Sequence, residues 1–179
     1  MSANSGLVIN VIDNHTGDRH DKFLPQCRMK HPHHLDCHDV QSMVTVVSNA
    51  ARSGKITVLR IFGHGHEGSQ AVGGGRHPKP DQRFWVDERG RLHHSGMLQP
   101  LRNHFSPNAT VELHGCEVAE QNRGLLLLRH LSYLWHVEVV AAFSKQHAHE
   151  KGVYDGIYVG MNGNRVYAYQ LDAYALTTR

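Results

Sequence analysis

Four short runs of aliphatic and β-branched residues constrain this chain most: LVINVI at 7–12, KITVLRIF at 55–62, TVELHG at 110–115 and VEVVAAF at 137–143. Each is too short for a helix of its own and reads as a buried strand. Between them lie segments with helical spacing. Val40, Met43, Val44, Val47 and Ala51 share one face of a helix predicted over 40–52, with Asp39 placed to cap it and Gly54 to end it. Residues 96–105 read as a short helix. A longer amphipathic helix over 119–136 carries Leu125, Leu128, Leu131 and Trp135. After a polar stretch at 144–155, residues 156–170 read as a hairpin turning at Asn162-Gly163. Strands alternating with helices predict an α/β fold: a mostly parallel sheet with a C-terminal β-hairpin.

A length of 179 residues suits one domain, 1–179, with a real core. Two stretches carry no period. Residues 14–38 are polar and His-rich and are expected as a long loop insertion. Residues 63–75, GHGHEGSQAVGGG, read as a glycine-rich loop. The chain at 76–95 reads as further loop, with short extended pieces around FWVD and RLHH.

No apolar run comes near the ~18 residues needed to cross a bilayer, so no membrane role is expected. The start, MSANSGLVINVIDN, lacks the basic and long apolar regions of a secretory signal. A cytoplasmic protein is expected, with export by a route needing no such signal left open. Lys and Arg number 19 against 16 Asp and Glu, a net charge of +3 without any block of one sign. That argues against nucleic acid as partner. Histidine is the unusual component, at 17 residues, so mild acid would add up to 17 charges to that +3. The odd count of 3 cysteines, without a secretory signal, points to reactive or metal-binding thiols rather than a disulfide framework.

In open α/β sheets reactive groups gather beyond the carboxyl ends of strands. The segments after the second and third predicted strands hold His64-Gly65-His66 and Cys116. A thiol nucleophile needs a proton partner and donors for the oxyanion it creates. Cys116 directly follows TVELHG, close to the start of the long helix, where a thiolate is favoured. The backbone N–H groups of Gly65 and Cys116 can form the oxyanion hole. His66 and His114 compete with His64 for the base role, since His114 and Cys116 would share one face of the strand. A single Cys at a strand end is more often a small core residue. It is the two clusters at two strand ends that point to chemistry.

KITVLRIFGHGHEG followed by TVELHGCEVAEQNRG resembles the caspase-like group of cysteine peptidases, in the style of bacterial CHAT and toxin self-processing domains. The likeness covers about 55–145. It implies a caspase-like three-layer α/β/α sandwich. It also implies His64 as the family histidine, Cys116 as the nucleophile and Gly65 as the oxyanion-hole glycine. The implied activity is peptide-bond hydrolysis through a thioester acyl-enzyme, with a protein or peptide as substrate, no required cofactor, and an activating partner or ligand as a further option. In related folds the pocket before the cut is lined from the end of the first strand and from segments after later strands. Here these are Asp13, Ser144 and Asp155, and an acidic floor would favour Lys or Arg. The alternative for Asp13 and Asp155 is turn capping.

Cys27, His31, His33, His34, Cys37 and His38 hold enough ligands for zinc, although their spacing matches no standard zinc motif. The bland reading is a solvated loop; a third is a loop gating the site. Two other functions compete with the peptidase. One is a catalytically inactive caspase-like binding or scaffolding domain. The other is a metal-dependent hydrolase using the His-rich segments.

Overall fold

The computed structural model describes residues 6–16, 21–143, 157–163 and 165–170. The elements are β1 (Leu7–Asp13), α1 (Phe23–Lys30), β2 (Leu35–Cys37), α2 (Val40–Ala50), β3 (Ile56–Phe62), β4 (Gly65–His66), β5 (Ser69–Ala71), β6 (Arg83–Trp85), α3 (Ser95–Leu98), β7 (Phe105–His114), α4 (Gln121–Trp135), β8 (Glu138–Ala142), β9 (Ile157–Asn162) and β10 (Arg165–Gln170). Seven strands form one sheet in the order β10-β9-β8-β7-β3-β1-β2. The five from β2 to β8 in that order are parallel. The hairpin β9-β10 adds two antiparallel strands at the β8 edge. The fold is therefore α/β with a mostly parallel central sheet, as the alternation of runs predicts.

The strand order explains where the helices go. From β1 the chain steps outward to β2, then back across β1 to β3, and onward to β7 and β8. Crossovers between parallel strands are right-handed. Reversing the direction of travel therefore sends α1 to one face of the sheet and α2, α3 and α4 to the other. The packing agrees. Leu24 and Cys27 of α1 cluster with Ile12 and Phe62. Val47, Leu98 and Leu128 join the main core with Val11, Ile61 and Leu113, the residues of opposite alternation on the same strands.

Helix α2 forms for the reason its sequence gives. Asp39 accepts the Ser42 N–H at 2.6 Å, and the Ser42 hydroxyl oxygen accepts the Asp39 N–H at 3.1 Å. Val40, Met43, Val44 and Val47 are buried. Gly54 ends not α2 but the 3-10 turn Ala51–Ser53 that follows it. The expected helix over 96–105 is one α-helical turn, α3, then a 3-10 run Gln99–His104 that includes Pro100.

Two expectations are corrected. The segment 14–38 is not one long loop: it contains α1 and β2, which pairs in parallel with β1. The glycine-rich stretch and its sequel are not simple loop either. Strands β4, β5 and β6 make a small antiparallel sheet beside the end of β3.

Candidate active site

The register of β3 and β7 fixes the site. Phe62 pairs with His114, so these neighbouring strands end side by side. Gly63-His64 and Gly115-Cys116 then leave the same end of the sheet. A Cβ on Gly65 would lie 2.4 Å from Val118 Cγ2, 2.9 Å from the Cys116 carbonyl oxygen and 3.0 Å from Gly115 Cα. A Cβ on Gly115 would lie 3.0 Å from Gly65 Cα. The two segments touch backbone to backbone, a fit that only paired glycines allow.

His64 is anchored from the connection that follows a third strand. Its Nε2 lies 2.8 Å from Asp21 Oδ2, and Asp21 belongs to the connection that follows β1, the other neighbour of β3. Asp21 Oδ1 accepts the Phe23 N–H at 2.9 Å, so one carboxylate both starts α1 and holds the imidazole. The Phe23 ring packs on the His64 ring at 5.6 Å between centroids. Burial pushes the Asp21 carboxyl up. The His64 hydrogen bond and the Phe23 and Leu24 amides outweigh it and leave the group below its ordinary range. An ionised carboxylate only accepts, so His64 Nε2 carries the hydrogen toward Asp21. Asp21 is the sole hydrogen-bond partner of the His64 ring among the described residues, and the His64 carbonyl accepts the Ala71 N–H at 2.8 Å.

Cys116 is half-buried, whereas Cys27 and Cys37 are buried. Cys116 is expected close to the start of a helix over 119–136, and that helix starts two residues later. Residues 116–119 form a turn, Glu117 takes a left-handed φ of 57°, and α4 begins only at Gln121. The turn is tied to the sheet by the Ala119 N–H, which donates to the Ala142 carbonyl at 2.9 Å. It rests on α4 at Gly124, where a Cβ would sit 2.2 Å from the Ala119 carbonyl carbon.

The competing histidines have other surroundings. His114 is buried, stacks on Phe62 at 4.5 Å, and has Nε2 2.9 Å from Glu112 Oε2. The same Glu112 oxygen accepts from Arg60 Nε at 2.9 Å. His66 lies on β4, with Nε2 3.2 Å from Arg83 Nη1.

Asp13, expected in a specificity pocket, is completely buried. Its two oxygens accept the His15 N–H at 2.8 Å and the Gly75 N–H at 3.0 Å, which clamps the glycine-rich segment to the end of β1. Burial raises its pKa despite those bonds. Ser144 and Asp155 lie outside the described residues.

The six residues singled out as zinc ligands are not brought together. Cys27 faces the Ile12 and Phe62 cluster. Cys37 is buried against the Ile12 carbonyl, and burial pushes its thiol far up. His31 packs on Phe62. His34 turns back to the His31 carbonyl and to Asp36. His33 and His38 are exposed. Among the described residues no three His, Cys, Asp or Glu side chains form a group able to hold a metal ion. Nor is any helix among them long and apolar enough to cross a membrane.

Residues 11–152 match the family model described as a domain of unknown function, DUF4347. The chain belongs to the DUF4347 family. No curated protein and no solved structure matches it. The span matched to DUF4347 takes in Asp21, His64 and Cys116 and stops before the β9-β10 hairpin.

Asp21 is the site residue that sequence reasoning misses. Its signal was an acidic residue just ahead of FLPQCRMK, but only Leu24 and Cys27 of that helix are buried. With so narrow an apolar stripe, neither the helix nor its leading carboxylate stands out.

Proposed function

We propose that this DUF4347 protein is a caspase-like cysteine endopeptidase that cleaves peptide bonds with Cys116 and His64. The carrying observation is the meeting of the His-Gly and Gly-Cys segments at one sheet end, with Asp21 bonded to His64 from the far side. An imidazole held through one nitrogen by a carboxylate, with its other nitrogen available, is the arrangement a general acid-base needs.

The Cys116 sulfur attacks the substrate carbonyl carbon, and the thiol proton passes to His64 Nδ1. The resulting oxyanion takes hydrogen bonds from the Gly65 and Cys116 amides. When the tetrahedral intermediate collapses, the C–N bond breaks and His64 returns its proton to the leaving amine. The thioester is then hydrolysed: water loses a proton to His64 and attacks the acyl carbon, the C–S bond breaks to release the carboxylic acid, and His64 returns the proton to the Cys116 sulfur. Asp21 stays ionised and balances the charge the ring carries between steps.

The test is cleavage of a complex peptide library, read as new termini by mass spectrometry. The native protein should generate new termini. Cys116→Ala should generate none, and His64→Ala should lose roughly 10²–10⁴ in rate. Cleavage that survives Cys116→Ala would overturn the proposal.

A further inference from the structure

A cleft of about 240 Å³ opens beside this rim, between the small sheet and α4. Its walls include His66, Arg83, Trp85 and Arg123. It is joined to the site on both sides. His66 lies two residues beyond His64, and the Gly68 N–H donates to the carbonyl of Val118, in the Cys116 turn, at 3.1 Å. Its volume falls below the roughly 300–1,000 Å³ of pockets that take whole small-molecule ligands, and suits one side chain.

The charges around the cleft pair off unevenly. Arg123 is held by both oxygens of Glu67, at 3.0 and 3.3 Å. Asp87 is occupied by Arg91 at 2.8 Å and His93 at 3.3 Å. Arg83 and Glu88, an exposed carboxylate that also lines the cleft, are left over and do not pair with each other. Among the described residues no carboxylate pairs with Arg83, and its buried Nε has no hydrogen-bond acceptor. Its guanidinium carbon stands 4.9 Å from the centre of the Trp85 ring, and Trp85 in turn stacks on His93 at 4.2 Å. Burial, and then the Arg83 charge, push the His66 pKa down, so its ring stays neutral and Nε2 accepts from Arg83 Nη1. Asp87, His93, Trp85, Arg83 and His66 thus form one chain of contacts. A planar cation fixed in place and lacking its anion is suited to a carboxylate.

We infer that this cleft is a specificity subsite in which Arg83 receives the carboxylate of an acidic side chain, Asp or Glu, flanking the bond to be cut. This deepens the peptidase reading and rests on it for the bond; the binding step itself does not need turnover. Full-length Cys116→Ala protein is titrated with acetylated hexapeptide pools identical except for Glu or Gln at one fixed position, scanned along the peptide. Binding is followed by Trp85 fluorescence, against Trp135 in the core.

At one position the Glu pool should bind at least tenfold tighter than its Gln counterpart. Arg83→Gln should erase that preference, and Arg83→Lys, which keeps the charge but not the planar fork, should retain only part of it. Equal affinity of Glu and Gln at every position would overturn the subsite. So would a Glu preference that persists in Arg83→Gln, or inorganic phosphate competing better than the Glu pool. The Glu and Gln comparison needs no Arg83 variant to fold. Because the protein titrated cannot turn over, absent hydrolysis by the native enzyme sinks only the peptidase reading, and equal affinities sink only the subsite.

Discussion

Replacing His31 by Leu should flatten the loss of stability that mild acid causes. His31 closes α1, lies against Phe62 at 4.7 Å, and is partly buried beneath the site. Burial, then the positive charges of Arg60 and His114, lower its pKa from 6.5 to about 4. The unfolded chain therefore takes up this proton before the folded one does. The contribution of His31 to stability is complete above pH 6.5 and is lost as pH falls from there to about 4. Between pH 7 and pH 5, linkage with these two values gives about 2 kcal/mol, which partial exposure reduces to roughly 1 kcal/mol. Urea denaturation of the native protein and His31→Leu at both pH values isolates the effect, because the histidines that do not interact with His31 cancel in the difference. The native protein should lose about 1 kcal/mol more than the variant, a midpoint shift near 0.5 M at an m-value of about 2 kcal/mol/M. Equal losses, or a larger loss in the variant, would refute the reasoning. The carboxyls of Asp21 and Glu112, both held below their ordinary range, stay ionised through this window; their contributions fade only as pH falls below about 4.

Asp21→Asn should cut peptide cleavage by roughly 10²-fold, because the amide no longer fixes the His64 ring and its charge. It should also move the pH profile of kcat, which a purely structural role for Asp21 would leave in place. Gly65→Ala should cost about 1–3 kcal/mol in denaturant unfolding, as the new Cβ meets Val118 and the Cys116 carbonyl. Its loss of cleavage should exceed what the unfolded fraction explains; activity that simply tracks folding would show that the contact is not needed for the site.

The strands that build the site were legible because their signals are strong and local. KITVLRIF and TVELHG occupy β3 and β7, and their order in the chain matches their adjacency in the sheet. Asp39 and the Val40, Met43, Val44, Val47 stripe gave α2 to within a turn. What escaped lacked such a stripe. Helix α1 buries only Leu24 and Cys27 and carries Pro25, and β2 is three residues long. Strands β4 to β6 run two or three residues each, too short for a period to show. Asp21 was hidden for a different reason: it acts through a partner 43 residues away, a separation that no local pattern encodes.

The most direct measurement is the site of covalent capture by a peptide acyloxymethyl ketone, mapped by mass spectrometry on the native chain. One adduct per molecule should form, on Cys116, while the buried Cys27 and Cys37 remain unmodified. Modification of Cys27 or Cys37 first, or capture of Cys116 no faster than that of free cysteine, would contradict a nucleophile set beside His64 at the shared end of β3 and β7.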